Sequence, residues 1–253
     1  MPANGSDEPP HARLIRKLHT VADLSTAAIQ AVERLPIRLK DVPEGVDLVS
    51  EGERPTECSI LIRGWVCRYA LLNRGQRQIF SFHIAGDMPD LQSLHLRTMD
   101  HSVSALTPVR VAMIPHAAIH EAMGRHPDLQ TAFWRDTLID AGVFRTWMAG
   151  IGRRTAYARI AHLLCELFVR LRAVGLAGNE GFQLFITQSE IADALGLSSV
   201  HVNRVLKELR GNRLLATPGR FVSILDWEGL QAAGEFDPSY LHLRPSRSDE
   251  GPV

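Results

Sequence analysis

The stretch Thr187-Gln-Ser-Glu-Ile-Ala-Asp-Ala-Leu-Gly-Leu-Ser-Ser-Val-His-Val-Asn-Arg-Val-Leu-Lys-Glu-Leu209 predicts two short helices joined by a sharp turn. Thr187 can cap the first helix, because Glu190 stands three residues later and completes a capping box. Gly196 can end this helix in a left-handed conformation. Ser198 can then cap the second helix. Two capped helices around a glycine turn are typical of a helix-turn-helix.

The second helix has an apolar face and a polar face. Its apolar residues recur at helical spacing and should pack inward: Val202, Val205, Leu206 and Leu209. The opposite face, called the recognition face below, has short side chains in the first turn and longer basic ones behind: Ser199, Val200, Asn203, Arg204 and Lys207. A helix that enters a DNA major groove with its first turn needs this arrangement, and Arg204 could bond guanine. A solvated αα-hairpin is the alternative.

The charge of the chain is uneven. The whole sequence has 28 basic and 28 acidic residues, but residues 151–225 hold ten Lys or Arg against five acids, which predicts a phosphate-facing surface. Arg210 and Arg213 could equally be ordinary helix-end cations. Leu214–Leu225 places two apolar runs around Pro218-Gly219 and predicts a hairpin, hence a winged helix-turn-helix. Arg220 at its tip could meet a phosphate or remain a solvated turn cation.

Length and composition allow one large or two ordinary cores, since 45% of the 253 residues are apolar. The sequence has neither a membrane-length apolar run nor a signal peptide, so we expect a cytoplasmic protein without membrane contact. Three cysteines, Cys58, Cys67 and Cys165, lack CxxC spacing. We expect reduced, mostly buried thiols.

In the N-terminal half, the spacing of apolar residues changes from one typical of helices to one typical of strands. Residues 13–36 show helical spacing, and from about 37 to 115 short apolar runs alternate with Gly52, Gly64, Gly75 and Gly86, at intervals of 11 or 12 residues. Short strands at that spacing indicate a sandwich or jelly roll.

Helical spacing then returns, with a short helix over 117–123 and a long one from Pro127 towards Ala149. The long helix has a wide apolar stripe, which we interpret as a dimer seam, with packing on the β-domain as the alternative. The residues assigned to this dimer interface are Phe133, Leu138, Ala141, Phe144 and Met148. Gly150 and Gly152 are predicted to form a hinge.

A β-roll, a long helix and a winged helix-turn-helix, in that order, resemble the Crp/Fnr family of bacterial transcription regulators. The resemblance covers roughly residues 20–228 and is most specific over 186–209. The fold is therefore predicted as α+β, with a jelly-roll-like β-roll, a dimerisation helix and a C-terminal winged helix-turn-helix. The predicted parts are a disordered tail (1–12), a cyclic-nucleotide-binding-like sensor domain (13–127), a dimerisation helix (128–150), a DNA-binding domain (151–228) and a partly disordered extension (229–253).

The resemblance implies a homodimer on a near-palindromic promoter site in double-stranded DNA, with RNA polymerase as a further partner. Matched position by position, Ser199, Val200 and Arg204 would face bases, and Asn203 on the same face of the helix is assigned to base reading with them. Phosphate contacts are assigned to Thr187, Ser198, His201, Lys207 and Arg220. Many members have a glutamate at the place of Val200, and valine offers only apolar contact, for instance to a thymine methyl. The half-site should therefore differ from the family consensus at that base pair.

The resemblance also places an effector pocket in the β-roll, at Gly86, Asp87, Asp90, Leu91, Met99 and Asp100. Members that bind cyclic nucleotides have a glutamate near the place of Leu91 and an Arg-Ser pair near the place of Met99-Asp100. A buried phosphate needs a paired cation, whereas Asp100 is negatively charged and would repel it. Cyclic AMP binding is not expected, although Arg97 could substitute through an alignment gap.

No cofactor or metal is predicted. Members with an iron–sulfur cluster use four cysteines, whereas this chain has three. His83, His95 and His101 lie near the effector region but lack metal-binding spacing, which argues against haem. Catalytic motifs are missing, and the Asp87–Asp90 pair fits a turn that caps amides, so we do not expect an enzyme. A protein-binding or structural dimer without specific DNA recognition remains the alternative function.

Overall fold

A computed structural model describes residues 9–244, which form eight α-helices and eleven strands. The helices are α1 Pro10–His19, α2 Thr26–Glu33, α3 His116–Arg125, α4 Pro127–Arg153, α5 Ala156–Ala173, α6 Gln188–Leu195, α7 Ser199–Gly211 and α8 Trp227–Gly234. The strands are β1 Arg38–Val42, β2 Asp47–Val49, β3 Glu57–Arg63, β4 Val66–Leu71, β5 Arg77–His83, β6 Ser102–Ala105, β7 Val109–Pro115, β8 Ala177–Gly178, β9 Gly181–Gln183, β10 Leu215–Ala216 and β11 Phe221–Ile224. This is the α+β fold predicted from the sequence.

The chain divides into two compact units. The first contains Met1–Val66 and His83–Thr137, and the second contains Cys67–Phe82 and Leu138–Val253. This division cuts the predicted dimerisation helix near its middle and assigns residues 67–82 of the predicted β-roll to the second unit. The predicted domain boundaries themselves stay a prediction.

The first unit is built on antiparallel strands. Strand β7 lies between β1 and β3, with Lys40 opposite Val111 and Ile60 opposite Ala112. Strand β2 pairs with β6, with Asp47 opposite Ser104. One apolar core contains residues of β3, β7, α1, α2, α3 and the start of α4, and a second core contains residues of β1, β2, β3, β4, β6 and β7. Apolar or alternating runs between the recurring glycines of the sequence predicted β3 and β7.

The N-terminal region, residues 13–36, is helical as predicted. It holds two helices, because the first ends at His19 and Ser25 caps the second by accepting from the Ala28 amide. Helix α1 also begins at Pro10, inside the predicted tail. Residues 1–8 and 245–253 of the predicted tails lie outside the described residues.

Helix α4 spans 27 residues without interruption. It continues through Gly150 and Gly152, so the predicted hinge at these glycines is wrong. A glycine inside a helix costs only about 1 kcal/mol, which the packing of the buried Val143 and Trp147 can offset. The break comes instead before Thr155, whose side chain accepts from the Ala158 amide and caps α5.

The second unit packs its short elements around α5, most of whose residues are buried. Helices α6, α7 and α8 contact α5, and a four-stranded antiparallel sheet has the order β10-β11-β9-β8. The β8–β9 hairpin was not predicted from the sequence. Within residues 9–244, no helix is both long enough and apolar enough to cross a membrane.

Candidate nucleic-acid interface

The start of α6 is fixed by the capping box that the sequence predicts. The Glu190 amide donates to Thr187 Oγ1 at 3.2 Å, and the Thr187 amide donates to Glu190 Oε2 at 2.6 Å. These two bonds satisfy amides that a helix start otherwise leaves without partners. Thr187 itself is exposed, so its side chain sits at the surface where the phosphate contact was predicted.

The turn between α6 and α7 also has the predicted geometry. Gly196 ends α6 with φ of 63°, and the Leu197 amide donates to the Ala192 carbonyl at 3.1 Å. Ser198 then caps α7, because its Oγ accepts from the His201 amide at 3.2 Å. The glycine and the two caps set the angle at which α7 leaves α6.

One face of α7 is buried against α5 and α6, and it contains the four predicted residues Val202, Val205, Leu206 and Leu209. On α6, Ile191, Ala194 and Leu195 are buried as well. Burial of this kind stabilises a helix that is too short to be stable alone. The opposite face of α7 is thereby held at the surface.

The recognition face is exposed at Ser199, Val200, Arg204 and Lys207. Val200 is the extreme case, with 79% of its surface accessible in the first turn. Within the part of the chain that the structure describes, neither Arg204 nor Lys207 forms an ion pair. Short side chains in front and unpaired cations behind are the arrangement that major-groove entry requires.

Two residues of the predicted interface are only partly exposed. His201 is half-buried beside the Ser198 cap, and Asn203 is half-buried with its Nδ2 donating to Gln188 Oε1 at 3.1 Å. This bond links the first residue of α6 to the recognition face. Gln188 was not among the predicted site residues, because its partner lies 15 positions away in the sequence.

The predicted wing is present as the β10–β11 hairpin. Gly219 has φ of 64° in its turn, and Arg220 is exposed next to it. The Arg220 carbonyl accepts from the Leu184 amide at 2.7 Å, which ties the wing tip to the end of β9. Arg210 donates to Thr217 Oγ1 at 2.8 Å. Arg210 therefore supports the wing from the end of α7.

The basic excess of residues 151–225 is not all at the surface. Arg154 lies near Glu235 at 3.4 Å, and Arg170 pairs with the fully buried Glu166 at 3.2 Å. Arg159 donates to the Leu195 carbonyl at 2.6 Å. These three cations are engaged within the protein, so the predicted phosphate-facing surface does not include all ten. The exposed cations on and next to α7 are Arg204, Lys207, Arg213 and Arg220.

The C-terminal residues close a buried polar cluster around Glu166. Its Oε2 accepts from Trp147 Nε1 at 2.9 Å and from the Tyr240 hydroxyl at 2.8 Å. His162 contacts the same hydroxyl at 3.1 Å and the Gly234 carbonyl at 3.0 Å. Burial and the neighbouring Glu166 raise the pKa of Tyr240, so its hydroxyl keeps the proton that it donates. Segment 235–241, called the C-terminal segment below, is thereby tied to α4 and α5.

The predicted dimer seam divides into buried and exposed residues. Phe133 is only 4% exposed and belongs to the core of the first unit, so its assignment to the seam is wrong. Leu138 and Met148 are 50% and 70% exposed, whereas Ala141 and Phe144 are half-buried. The sequence could not separate these sets because apolar residues occur on more than one face of α4.

The predicted effector residues lie in different surroundings. Asp87 is buried with Lys17 Nζ at 2.9 Å and accepts from the Ile84 amide at 3.0 Å. Asp90 is buried and accepts from the amide and the hydroxyl of Ser59 at 2.8 and 3.0 Å. Both carboxylates thus accept from backbone amides, which was the structural role weighed for them, but Asp87 does so within its own turn and Asp90 does so from strand β3.

The other four predicted effector residues do not line a common pocket either. Gly86 has φ of 102° and packs beneath α1, where an added Cβ would lie 3.0 Å from the Arg13 carbonyl oxygen. Leu91 and Met99 are buried in separate apolar cores. Asp100 is exposed and contacts His101 at 2.7 Å. A single pocket formed by all six predicted residues is therefore wrong.

The cysteines and histidines were weighed as possible ligands. All three cysteines are buried and free, as predicted, and burial raises the pKa of Cys165 to about 12. Burial raises the pKa of Cys58 as well. Over residues 9–244, no three His, Cys, Asp or Glu side chains are grouped so that they could hold a metal ion. His83 is buried beside Asp87, and His95 packs edge-on against His120 with the ring centroids 5.5 Å apart.

Comparison with known proteins matches both halves of the chain. Residues 158–233 match the family described as Crp-like helix-turn-helix domain, and residues 39–126 match the cyclic nucleotide-binding domain family. The transcriptional activator protein Anr of Pseudomonas protegens is 27% identical over 203 residues, covering 80% of this chain and 83% of Anr. The fumarate and nitrate reduction regulatory protein of Vibrio cholerae is 23% identical, covering 80% and 81%.

Solved structures show the same fold. FixK2 from Bradyrhizobium japonicum superimposes with a TM-score of 0.72 at 24% identity, covering 79% of this chain and 98% of FixK2. The global regulator CLP of Xanthomonas campestris, described as responsive to c-di-GMP, gives a TM-score of 0.61 at 17% identity and covers 79% and 99%. The likeness therefore extends over both units.

Proposed function

Since the chain belongs to the Crp/Fnr family of transcription regulators, we propose that it binds a near-palindromic promoter site as a homodimer. One copy of α7 would enter the major groove of each half-site, with the two half-sites about one helical turn apart. The recognition face of α7 carries this proposal, because its exposed residues combine small side chains with cations that have no ion-pair partner among the described residues.

The proposal is tested with DNA selected from a random pool by the wild-type protein. Affinity should fall steeply as salt rises, since phosphate contacts release counterions. Arg204→Ala should lower the preference for selected over random DNA by roughly 5- to 150-fold, because a bidentate contact to guanine is lost. Lys207→Ala should weaken both DNAs equally and reduce the salt slope by about one.

The matched pair of variants separates base recognition from phosphate contact. Equal effects of Arg204→Ala on selected and random DNA would show that Arg204 does not read a base. A wild-type protein with neither salt-dependent affinity nor any sequence preference would instead be the protein-binding or structural dimer. Thermal unfolding of both variants checks that the fold is intact.

We propose further that the effector, if there is one, is not cyclic AMP bound in the family's manner. The place of the phosphate-binding pair is occupied by the buried Met99 and by Asp100, whose carboxylate is exposed beside His101. Leu91, at the place of the glutamate, is buried in an apolar core, and Arg97 is exposed. Titration calorimetry with cyclic AMP and cyclic GMP should give no heat of binding; micromolar binding would contradict this proposal.

Neither an iron–sulfur cluster nor haem is part of the proposed function. The three cysteines are too few for the family's cluster, and each is buried. The pKa of Cys58 and of Cys165 is raised by burial, and this disfavours the thiolate that a metal needs. Protein purified without oxygen should show no cluster or haem absorption, and more than trace iron per chain would overturn the expectation.

The protein should act by binding and not by catalysis. Asp87 and Asp90, the carboxylates weighed as a catalytic pair, are both bonded to backbone amides. Promoter binding would bring the protein next to RNA polymerase in the cytoplasm. Transcription by RNA polymerase from a linear promoter template, with and without the protein, measures whether the protein activates or represses.

A further inference from the structure

The recognition face contains one residue whose side chain is already oriented without DNA. Asn203 Nδ2 donates to Gln188 Oε1 at 3.1 Å, while Ser199, Val200 and Arg204 next to it are exposed. Gln188 is the first residue of α6 and is itself exposed. The bond therefore joins the entry of one helix to the groove-facing side of the next.

We propose that Gln188 is a positioning residue for base recognition, which orients the Asn203 carboxamide toward an adenine. This inference rests on the proposed function, namely that α7 reads bases. Gln188 would act through Asn203 and would set the specificity at one A·T base pair.

The chemistry of the carboxamide gives the reason. An asparagine amide has two N–H donors and one carbonyl acceptor. With one donor given to Gln188, the other donor and Oδ1 remain for N7 and the N6 amino group of adenine, the bidentate contact that asparagine makes in a major groove. The χ2 angle of asparagine has a broad distribution, because rotation about this bond meets little resistance. Without Gln188 the carboxamide of Asn203 would therefore rotate and would discriminate less between bases.

The position of Gln188 is fixed by its surroundings. Thr187 directly before it forms both bonds of the capping box with Glu190, so the first turn of α6 has a defined geometry. Ile191 of α6 and Val202 of α7 are both buried and the two helices contact each other, which fixes their relative position. A rigid support for a base-reading side chain is what precise recognition needs.

The test measures base preference at every pair of the selected half-site for the wild-type protein and three variants. Asn203→Ala identifies the base pair that Asn203 reads. Gln188→Ala should lower the preference for adenine at that same pair by about 5- to 10-fold, a part of the range typical of one bidentate contact. Preferences at the other pairs should stay the same.

Gln188→Glu is the conservative variant, because a carboxylate still accepts from Asn203 Nδ2. Its added negative charge should weaken binding to all sequences, yet the preference for adenine should persist. Ser189→Ala, one position along the same turn, is the matched control and should leave every base preference unchanged. Thermal unfolding verifies that all variants are folded.

Other outcomes overturn the inference. If Gln188→Ala weakens all sequences equally, then Gln188 contacts a phosphate; if it changes nothing, the bond to Asn203 has no role in recognition. A loss of preference in Gln188→Glu equal to that in Gln188→Ala would also contradict the acceptor role. A wild-type protein without preference at any base pair would contradict the proposed function itself, and is thus distinguished from failure of the inference alone.

Discussion

At the scale of the residue, Val200 is an apolar side chain that is almost fully in water, in the first turn of α7. Its methyl groups can contact a thymine methyl but cannot accept a hydrogen bond from cytosine. We predict that Val200→Glu gains a preference for cytosine at one position of the half-site, by roughly 5- to 150-fold. Sequencing of DNA selected from a random pool measures this change.

Val200→Thr serves as the control for this prediction, since it keeps the shape of valine without adding a carboxylate. It should not gain the cytosine preference. Identical selected sequences for the wild-type protein and Val200→Glu would show that this side chain does not face a base.

His162 gives a prediction about pH. Burial, and next the charge of Arg154, lower the pKa of His162 from its ordinary value near 6.5, although Glu166 and the Gly234 carbonyl act in the opposite direction. The unfolded chain therefore binds a proton at a pH where the folded protein does not. The free energy of unfolding should decrease as the pH falls below about 6.5, and the titration of His162 should contribute no pH dependence well above that value.

Urea unfolding of the wild-type protein and of His162→Gln at pH 7.5 and 5.5 tests this sign. The variant should lose less stability between the two pH values. Burial also lowers the pKa of His116, so part of the pH dependence should remain in the variant. A wild-type protein and variant with equal pH dependence would contradict the role of His162.

The caps of α6 and α7 could be predicted at this scale because each depends on residues three positions apart. The Gln188–Asn203 bond and the Glu166 cluster could not, since they join distant positions through packing. Glu166 looks like a surface residue of α5 in the sequence, paired with Arg170 one turn later. Its bonds to Trp147 and Tyr240, 19 and 74 positions away, show that it belongs to a buried cluster.

At the scale of the element, the β8–β9 hairpin depends on Gly181. This glycine has φ of 145°, and a Cβ there would collide with the carbonyl oxygen of Val222 on β11. We predict that Gly181→Ala destabilises the protein by at least about 1–3 kcal/mol, because both the backbone strain and the β9–β11 pairing are affected.

Gly178→Ala is the matched control, since it lies in the same hairpin and a Cβ there meets no atom within 4 Å. It should change the free energy of unfolding by less than about 0.5 kcal/mol. Chemical denaturation of both variants provides the comparison. Equal stability of the two would show that β9 can move away from β11 without cost.

The elements differ in how well the sequence predicts them. Strands β3, β4, β5 and β7 have six or seven residues, enough for their apolar runs to be seen, whereas β8 and β9 have two and three. Phe133 was assigned to the wrong face of α4, because the spacing of apolar residues does not distinguish a side chain in the core of one chain from a side chain at a dimer interface.

At the scale of the whole molecule, the proposed dimer depends on the exposed apolar residues of α4. We predict that Leu138→Glu raises the dimer dissociation constant at least about tenfold, which corresponds to about 1.4 kcal/mol. Leu225→Glu is the control, since Leu225 is 58% exposed after β11 and lies outside α4. Sedimentation velocity over a range of concentrations measures both. A chain that is monomeric at every concentration would contradict the dimer.

The C-terminal segment has a practical consequence for dividing the protein into parts. The match to the helix-turn-helix family ends at residue 233, but the Tyr240 hydroxyl seven positions later is bonded to the fully buried Glu166. Gly142 of α4 leaves room for the Tyr240 carbonyl, which an added Cβ would approach to 3.2 Å. A fragment cut at the family boundary would leave this buried carboxylate without its bond to Tyr240. The smallest stable DNA-binding fragment should thus begin within α4 and extend past Leu241.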